Sequence, residues 1–178
     1  MIINWVLADN FIVDPTINVD DLKRIGSFWG SWKTYRTGST DNAICYDAIQ
    51  SKSLIAGKFH DMCNFYVRQD AFGPADLPKN VRVFGGNFQH DVENTDEIIA
   101  IHLASASADI VLLYGFDWSE EALAKTSEHY RGLTLNALKS NPDTQYVFVD
   151  HTKDIHPKYA ELDNVTKDVL ANILAIPT

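Results

Sequence analysis

Cationic side chains are missing from the middle of this 178-residue chain, which has no Lys or Arg between Arg82 and Lys125. The chain carries 24 acidic and 15 basic side chains, which gives a formal net charge of −9. Residues 1–82 hold nine acidic and nine basic side chains. The excess of negative charge therefore lies in residues 83–178, which hold fifteen acidic and six basic side chains. Phosphate affinity comes from clustered Lys and Arg. This composition therefore disfavours both nucleic-acid binding through a broad basic face and docking on an anionic membrane.

Cysteines and long apolar runs are also scarce. The two cysteines, Cys45 and Cys63, are too few for a disulfide framework or a thiol-based zinc site, and we expect both to be small buried residues. The longest apolar stretch, residues 98–116, is interrupted by His102 and Asp109, so no membrane span is expected. The first residues lack the basic start and apolar core of a signal peptide. These absences predict a soluble protein of a reducing compartment, the cytoplasm.

A glycine-rich phosphate loop is missing as well. The first expected strand leads into Asp9 and Asn10, and the pair Gly85-Gly86 stands well before the next expected helix. Neither place matches a Walker A loop or a dinucleotide fingerprint. A conventional ATP or NAD site is therefore not expected, and no GxSxG or HxxxH motif indicates a hydrolase or a zinc site.

Short apolar runs alternate with segments of helical length, which is the pattern of a parallel α/β sheet. We expect strands at 2–7, 32–37, 43–46, 63–67, 81–84, 110–114 and 145–149. Helices are expected at 18–25, 49–59, 94–108, 120–139 and 166–174. The run at 110–114 is apolar on both faces and should be central. The sequence thus predicts one Rossmann-like three-layer α/β domain over residues 1–178, with a mostly parallel sheet of about six strands.

Two details of the expected helices concern their ends. Asn94 with Glu97 three residues later forms a capping-box pattern at the start of the helix at 94–108. Gly132 is the expected place for a break in the helix at 120–139.

Polar side chains follow several of the expected strands. Ligands of open parallel sheets bind outside the carboxyl ends of the strands. We therefore expect a shared edge that includes Asn10, Asn42, Asp117, Trp118 and His151. Two kinds of site are open: carboxylates that hold Mg²⁺ or Mn²⁺ with phosphate oxygens, or acid–base catalysis by His151 with Asp117 or Asp150. The same residue types also end strands and cap helices without any ligand.

Aromatic and basic side chains interleave in residues 28–36, where Trp32 and Arg36 are the candidate ligand contacts. Such a combination can stack on a base or sugar ring and pair with a phosphate. It can also form a surface for a protein partner, because Trp, Tyr and Arg dominate interface hot spots. A third interpretation places Phe28, Trp29 and Trp32 in the core, with the cations at its rim.

The segments 94–104 and 108–118 carry a family resemblance, because a helix of small residues leads into a strand that ends in Gly115-Phe116-Asp117-Trp118. The order of elements resembles that of the Rossmann-like group that includes the family 42 sialyltransferases and the archaeal pterin diphosphokinases. When the elements are compared in order, Asp14-Pro15-Thr16 lies where that group has its phosphate loop. The sequence as a whole also resembles uncharacterised proteins of tailed phages, which implies the host cytoplasm or the virion as its location.

Two functional hypotheses follow. The first, implied by the resemblance, is binding of a nucleotide, nucleotide-sugar or other phosphorylated ligand, with glycosyl or phosphoryl transfer as the reaction. In that case Asp117 contacts the ligand or a metal, Asn10 and Asn42 bind polar groups, and His151 is the acid–base candidate. The second is a non-catalytic or virion-associated module that binds a protein partner or a second copy of itself. The missing phosphate loop favours the second, and the polar strand ends favour the first.

Overall fold

A sheet of eight parallel strands organises this chain in the computed structural model, which describes residues 1–9, 11–36 (without the Arg36 side chain), 40–69, 72, 77–85 and 95–176. The strands are β1 (Ile3–Leu7), β2 (Ser27–Ser31), β3 (Asn42–Cys45), β4 (Asn64–Arg68), β5 (Val81–Phe84), β6 (Ile110–Tyr114), β7 (Gln145–Val149) and β8 (Val165–Asp168). The described ranges also hold seven α-helices: α1 (Val19–Ile25), α2 (Ala48–Ala56), α3 (Thr95–Ser105), α4 (Glu120–Ala124), α5 (Glu128–Ser140), α6 (Pro157–Ala160) and α7 (Leu170–Leu174). The predicted α/β class is confirmed, with eight strands instead of about six.

The order of the strands is β5-β4-β3-β2-β1-β6-β7-β8. The chain builds the sheet outward from β1 to β5, and α3 then carries it back to β6 on the other side of β1. β1 and β6 pair along their whole length, from Ile3 opposite Ile110 to Leu7 opposite Tyr114. The direction of strand addition therefore reverses between β1 and β6, and the carboxyl ends of these two strands form the crevice where such folds place ligands.

The two faces of the sheet are covered by different helices. α3 packs across β1, β2 and β3 and against α5, while α1 and α7 lie together on the opposite face. The residues Ile98, Ile99, Ala100 and Ile101 of α3 have no exposed surface, which explains why this helix is apolar all round. Val111, Leu112 and Leu113 of β6 are also fully buried or nearly so, which confirms the expected central position of that strand.

The second strand lies earlier in the sequence than predicted. β2 covers Ser27–Ser31, and Thr34–Arg36 form a 3₁₀ turn where the strand at 32–37 was expected. Gly26 explains the early start, because a Cβ at this position would overlap the carbonyl group of Ile3 in β1. Only glycine allows this close approach, so β2 pairs with β1 immediately after α1 ends.

The second half of the chain contains a missed strand and a displaced helix break. The helix expected at 120–139 is two helices, and Ser127 caps the second by accepting the backbone N–H of Tyr130. The break is thus not at Gly132, which lies inside α5. The segment 165–168 is strand β8 instead of the start of a helix. Its middle residues, Thr166 and Lys167, are exposed at the sheet edge, so it lacks the apolar signal of a strand.

Replacing Gly132 by Ala is expected to stabilise the protein by about 0.5 to 1 kcal/mol. Gly132 lies inside α5, and nothing lies within 4 Å of the position that a Cβ would take. The substitution therefore reduces the entropy of the unfolded chain without a steric cost. Urea unfolding of the wild type and the variant at one pH measures the difference. A loss of stability would show that this part of α5 is not helical in solution.

Two expectations about composition can be compared with the fold directly. Cys45 and Cys63 are both buried and free, as predicted, and burial raises the pKa of their thiols to about 12 and about 11. Among the described residues, no helix is both long enough and apolar enough to cross a membrane.

Candidate functional site

Three adjoining cavities lie along the carboxyl ends of β1, β6, β7 and β8. The first, which we call the acidic cavity, has a volume of about 220 Å³ and is lined by Ala8, Asp9, Glu97, Gly115, Phe116, Asp117, Trp118, Leu123, Thr126 and Tyr130. The second has about 200 Å³ and is lined by Phe11, residues 114–117 and residues 149–153. The third, of about 600 Å³, is lined by residues 150–152, residues 167–169 and Asn172. Neighbouring cavities share lining residues, and we call the three together the groove along this edge.

Gly115 directs the chain from the end of β6 into this groove. Its φ angle is +84°, a conformation that residues with a Cβ rarely adopt. A Cβ at this position would also overlap the ring of Phe11, which packs on Tyr114 with ring centroids 4.5 Å apart. The glycine therefore allows the turn that places Phe116 and Asp117 between the first two cavities.

Asp9 follows β1 and lies in the acidic cavity at the reversal of strand order. Its side chain is only 4% exposed, and neither carboxylate oxygen accepts a hydrogen bond from the described residues. The nearest cation is Lys33, which follows β2 and has its Nζ atom 3.8 Å from Asp9 Oδ2. Buried carboxylates normally accept several hydrogen bonds, so Asp9 retains unused acceptor capacity next to an open space.

Glu97 lies beside Asp9 on the first turn of α3 and is 4% exposed. Its Oε2 accepts the backbone N–H of Asp9 at 2.9 Å, and its Oε1 accepts the hydroxyl of Tyr130 at 2.9 Å. Burial and the charge of Asp9 raise the pKa of Glu97 to about 7. Glu97 therefore joins β1 to α5. Asn94, with which Glu97 was predicted to form a capping box, lies outside the described residues.

Asp96 adds a third buried carboxyl to this region. Its Oδ1 accepts the backbone N–H of Tyr46 at 2.7 Å. Burial raises its pKa to about 7, and the charges of Asp9 and Asp47 act in the same direction, whereas the Tyr46 hydrogen bond and Lys33 oppose the rise. Three carboxyls thus face one lysine, and two of them have raised pKa values, chiefly because they are buried and also because of the charge of Asp9.

Asp117, predicted as a catalytic or metal-contacting residue, lies at the end of β6 as expected. Its Oδ1 accepts the backbone N–H of Ser119 at 3.1 Å, and its Oδ2 accepts a hydrogen bond from Lys153 Nζ at 3.1 Å. Burial acts to raise the pKa of Asp117, but hydrogen bonds from Ser119 and Lys153 outweigh it and lower the pKa to about 2. Asp117 is therefore an ionised, paired carboxylate at the border of two cavities.

His151 lies at the carboxyl end of β7, as predicted, but its ring is held by backbone groups. Nε2 accepts the N–H of Trp118 at 3.3 Å, and Nδ1 is 2.7 Å from the carbonyl oxygen of Lys153, to which it can only donate. These two partners assign the tautomer with the proton on Nδ1. The side chain is also only 3% exposed. This bonding gives His151 a role in fixing the loops after β6 and β7. Its Nε2 also lies 3.6 Å from Oδ1 of Asp117, so the structure brings the two predicted acid–base residues together.

Trp118, a predicted ligand contact, is a core residue with 2% exposure. Its ring packs against Phe116, Phe148 and Tyr159 with centroid distances of 5.7, 5.2 and 5.1 Å. Only a small part of the indole reaches the wall of the acidic cavity. Stacking on a ligand would require this aromatic cluster to open.

The remaining predicted contacts lie away from the groove or outside the described atoms. Asn42 is the first residue of β3, so it lies at the amino edge of the sheet, where its Oδ1 accepts the Asn64 amide at 3.1 Å. The turn before β3 was read as the end of a strand, which reversed the edge assigned to it. Trp32 follows β2 but packs on the face opposite α3, against the core around Phe59 and Phe65. Asn10 and the side chain of Arg36 lie outside the described residues.

Comparison with protein-family models, with curated proteins and with solved structures finds no match to this chain. The interpretation of the groove therefore depends on its own geometry. In the described ranges, no three His, Cys, Asp or Glu side chains are grouped so that they could hold a metal ion.

Glu97 and Tyr130 are the residues of the acidic cavity that the sequence interpretation missed. Glu97 had a usable signal, because it is an acid that directly precedes the fully buried run Ile98–Ile101. Tyr130 had no such signal in the sequence, because its hydroxyl reaches Glu97 only when α5 packs on α3.

Proposed function

We propose that this protein binds a nucleotide, a nucleotide-sugar or another phosphorylated ligand in the groove at the carboxyl ends of β1, β6, β7 and β8. The observation that supports this best is the placement of the three adjoining cavities at the reversal of strand order. Their elongated arrangement suits a ligand that has chemically different ends. Ligand sites in proteins usually occupy several hundred Å³, and the groove has this size.

The two ends of the groove differ in charge, so a ligand with one anionic end would bind in one orientation. Lys153, which is 50% exposed, lines the second cavity, and Lys167, which is 39% exposed, lines the third. Their present partners are Asp117 and Asp154, and a phosphate could replace these exposed ion pairs at little cost. The acidic cavity would repel a phosphate. We therefore expect the phosphate of the ligand to bind at the end of the groove near β7 and β8.

Binding without catalysis is the second candidate, and the bonding of His151 and Asp117 favours it. His151 has both ring nitrogens engaged with backbone groups, and Asp117 is paired with Lys153. If glycosyl or phosphoryl transfer occurs, Asp117 could contact a Mg²⁺ or Mn²⁺ ion carried by the phosphates, after release of Lys153. A module that binds a partner protein would retain the same groove without needing either change.

A thermal-shift screen tests the proposed binding. A ligand at about 100 times its Kd is expected to stabilise the protein by about 2.7 kcal/mol, which raises the Tm by roughly 5 to 10 °C. The ligands are nucleotides, nucleotide-sugars and sugar phosphates, each with and without Mg²⁺ or Mn²⁺. We expect Lys153→Gln to lose most of the shift.

Lys125→Gln is the matched control for this screen. Lys125 is 75% exposed and pairs with Glu121, as Lys153 does, but it does not line the groove. Its variant should keep the wild-type shift. If no compound of these classes raises the Tm, or if both lysine variants respond equally, the proposal is wrong.

A further inference from the structure

The carboxylate of Asp9 is the group in the groove that most clearly lacks a partner. It is 4% exposed, and its two oxygens accept no hydrogen bond from the described part of the chain. A buried carboxylate without hydrogen bonds is costly to retain. Its loose contact with Lys33, at 3.8 Å, is longer than a charge-assisted hydrogen bond. Asp9 also borders open space in the acidic cavity, so a donor from a ligand could reach it.

The neighbours of Asp9 increase the negative charge instead of relieving it. Glu97 and Asp96 are both buried carboxyls, and burial together with the Asp9 charge raises the pKa of each to about 7. Lys33 is the cation that lowers both pKa values, and it is 47% exposed to solvent. A ligand group with positive charge would therefore gain from all three carboxyls, whereas an anionic group would be repelled.

The hydrogen bonds of Glu97 indicate which type of cation, organic or metal, the acidic cavity could bind. Both of its oxygens already accept donors from the protein, the Asp9 N–H and the Tyr130 hydroxyl. Asp9 is then the carboxylate whose oxygens remain available in this cavity. One available carboxylate suits an organic cation, which brings several N–H donors to one acceptor group. A metal ion instead needs several oxygen ligands at once.

We propose that the acidic cavity binds an ammonium or guanidinium group of the ligand, with the Asp9 carboxylate as its direct partner. This inference rests on the proposed function, because it names the group at one end of the same groove. The ligand would then carry its positive charge at the β1 end and its phosphate near Lys153. The Asp117 carboxylate, already bonded to Ser119 and Lys153, contributes a longer-range attraction.

Binding of such a cation should strengthen as the pH rises from 6 to 8. The cation stabilises the ionised forms of Glu97 and Asp96, so it binds better when they have lost their protons. The other charged or titratable groups that face them are Asp9 after β1, Lys33 after β2, Asp47 after β3 and Tyr130 on α5. Burial and Glu97 keep the pKa of Tyr130 far above this range, so Tyr130 does not titrate here.

The test is an NMR titration of the full chain with small probes of matched shape. The probes are propylamine, propylguanidine, 1-propanol, ribose and MgCl₂, and the readout is the indole N–H signal of Trp118, whose ring lines the acidic cavity. We expect saturable shifts with the two cationic probes only. Their affinity should fall roughly tenfold or more in Asp9→Asn, which keeps the shape and removes the charge.

Asp117→Asn is the matched control, because it removes a charge from the same cavity wall at a residue already paired with Lys153. It should change the affinity less than Asp9→Asn does. Equal binding of 1-propanol or ribose would overturn the inference, and so would an unchanged affinity in Asp9→Asn. A response to MgCl₂ with none to the amines would also overturn it and would identify a metal site.

The failure of this inference can be told from the failure of the proposed function. If phosphorylated ligands bind through Lys153 but the cationic probes do not bind, the cation site is wrong and the proposed function stands. If the cationic probes bind through Asp9 but no phosphorylated compound binds, the proposed function is wrong and the cation site stands.

Discussion

Raising the pH from 5 to 8 is expected to lower the free energy of unfolding, because Glu97 and Asp96 must ionise inside the protein. Their pKa values rise from 4.5 and 3.8 to about 7 in the folded state. The folded protein therefore binds more protons than the unfolded chain between these limits. Stability is greatest below the unfolded pKa values and falls until the pH passes about 7. Each carboxyl contributes a loss of about 2 to 3 kcal/mol over this range.

The variant Glu97→Gln isolates this effect. It keeps an acceptor for the Asp9 N–H and a polar group near Tyr130, but it has no charge to bury. Its stability should exceed that of the wild type at pH 8, and the fall between pH 5 and pH 8 should be about half as large. Urea unfolding at several pH values measures both quantities.

Glu121→Gln is the control for the pH series, because Glu121 lies on α4 with a side chain that is 70% exposed. Its pH dependence should match that of the wild type. His102, whose pKa is lowered by burial, adds a gain of stability up to about pH 6.5 in all three proteins, so it cancels in the comparison. Curves of equal slope for the wild type and Glu97→Gln would contradict the prediction.

Replacing Trp118 by Ala is expected to destabilise the protein by about 4 kcal/mol. Trp118 is 2% exposed and fills the space between Phe116, Phe148 and Tyr159. The substitution leaves a cavity that this cluster can refill only in part. Such a loss is a large fraction of the stability of a typical domain. Urea unfolding at pH 5, where Glu97 and Asp96 are still protonated in the folded protein, gives the measurement.

Trp32→Ala is the matched control, since Trp32 is only half-buried and lies in the turn after β2 on the other face of the sheet. We expect it to cost about 1 to 2 kcal/mol. A Trp118→Ala variant of nearly wild-type stability that no longer binds ligands would restore the ligand contact predicted for Trp118 from the sequence.

Some elements were predictable because their signals are local. The run at residues 110–114 is apolar on both faces, and it is the central strand β6. The strand at 81–84 and the helix at 18–25 also match the structure closely, the latter with Asn18 as its N-cap. In each case the residues that define the element are next to one another in the chain, so periodicity and capping chemistry are sufficient.

Other elements depended on contacts that the sequence does not display. β2 starts early because Gly26 fits against β1, and β8 forms because its backbone pairs with β7, despite its polar residues. Asn42 was assigned to the wrong edge of the sheet because a turn that begins a strand resembles one that ends a strand. The location of the charge was more informative: residues 1–82 contribute Asp9 to the groove, with Lys33 beside it, and residues 83–178 contribute Glu97, Asp117 and Lys153.

The sequence by itself determined the α/β class, the positions of most strands and helices, and the polar character of several strand ends. Periodicity, turn residues and charge are written along the chain and can be interpreted without its neighbours. The tertiary structure alone decided that β1 and β6 are adjacent and that Glu97 connects Asp9 to Tyr130. It also decided that Trp118 lies in the core and that backbone groups hold the His151 ring, while Asp9 is left without a hydrogen-bond donor among the described residues. These outcomes depend on which elements pack together, because packing sets both the burial of a side chain and the partners within its reach.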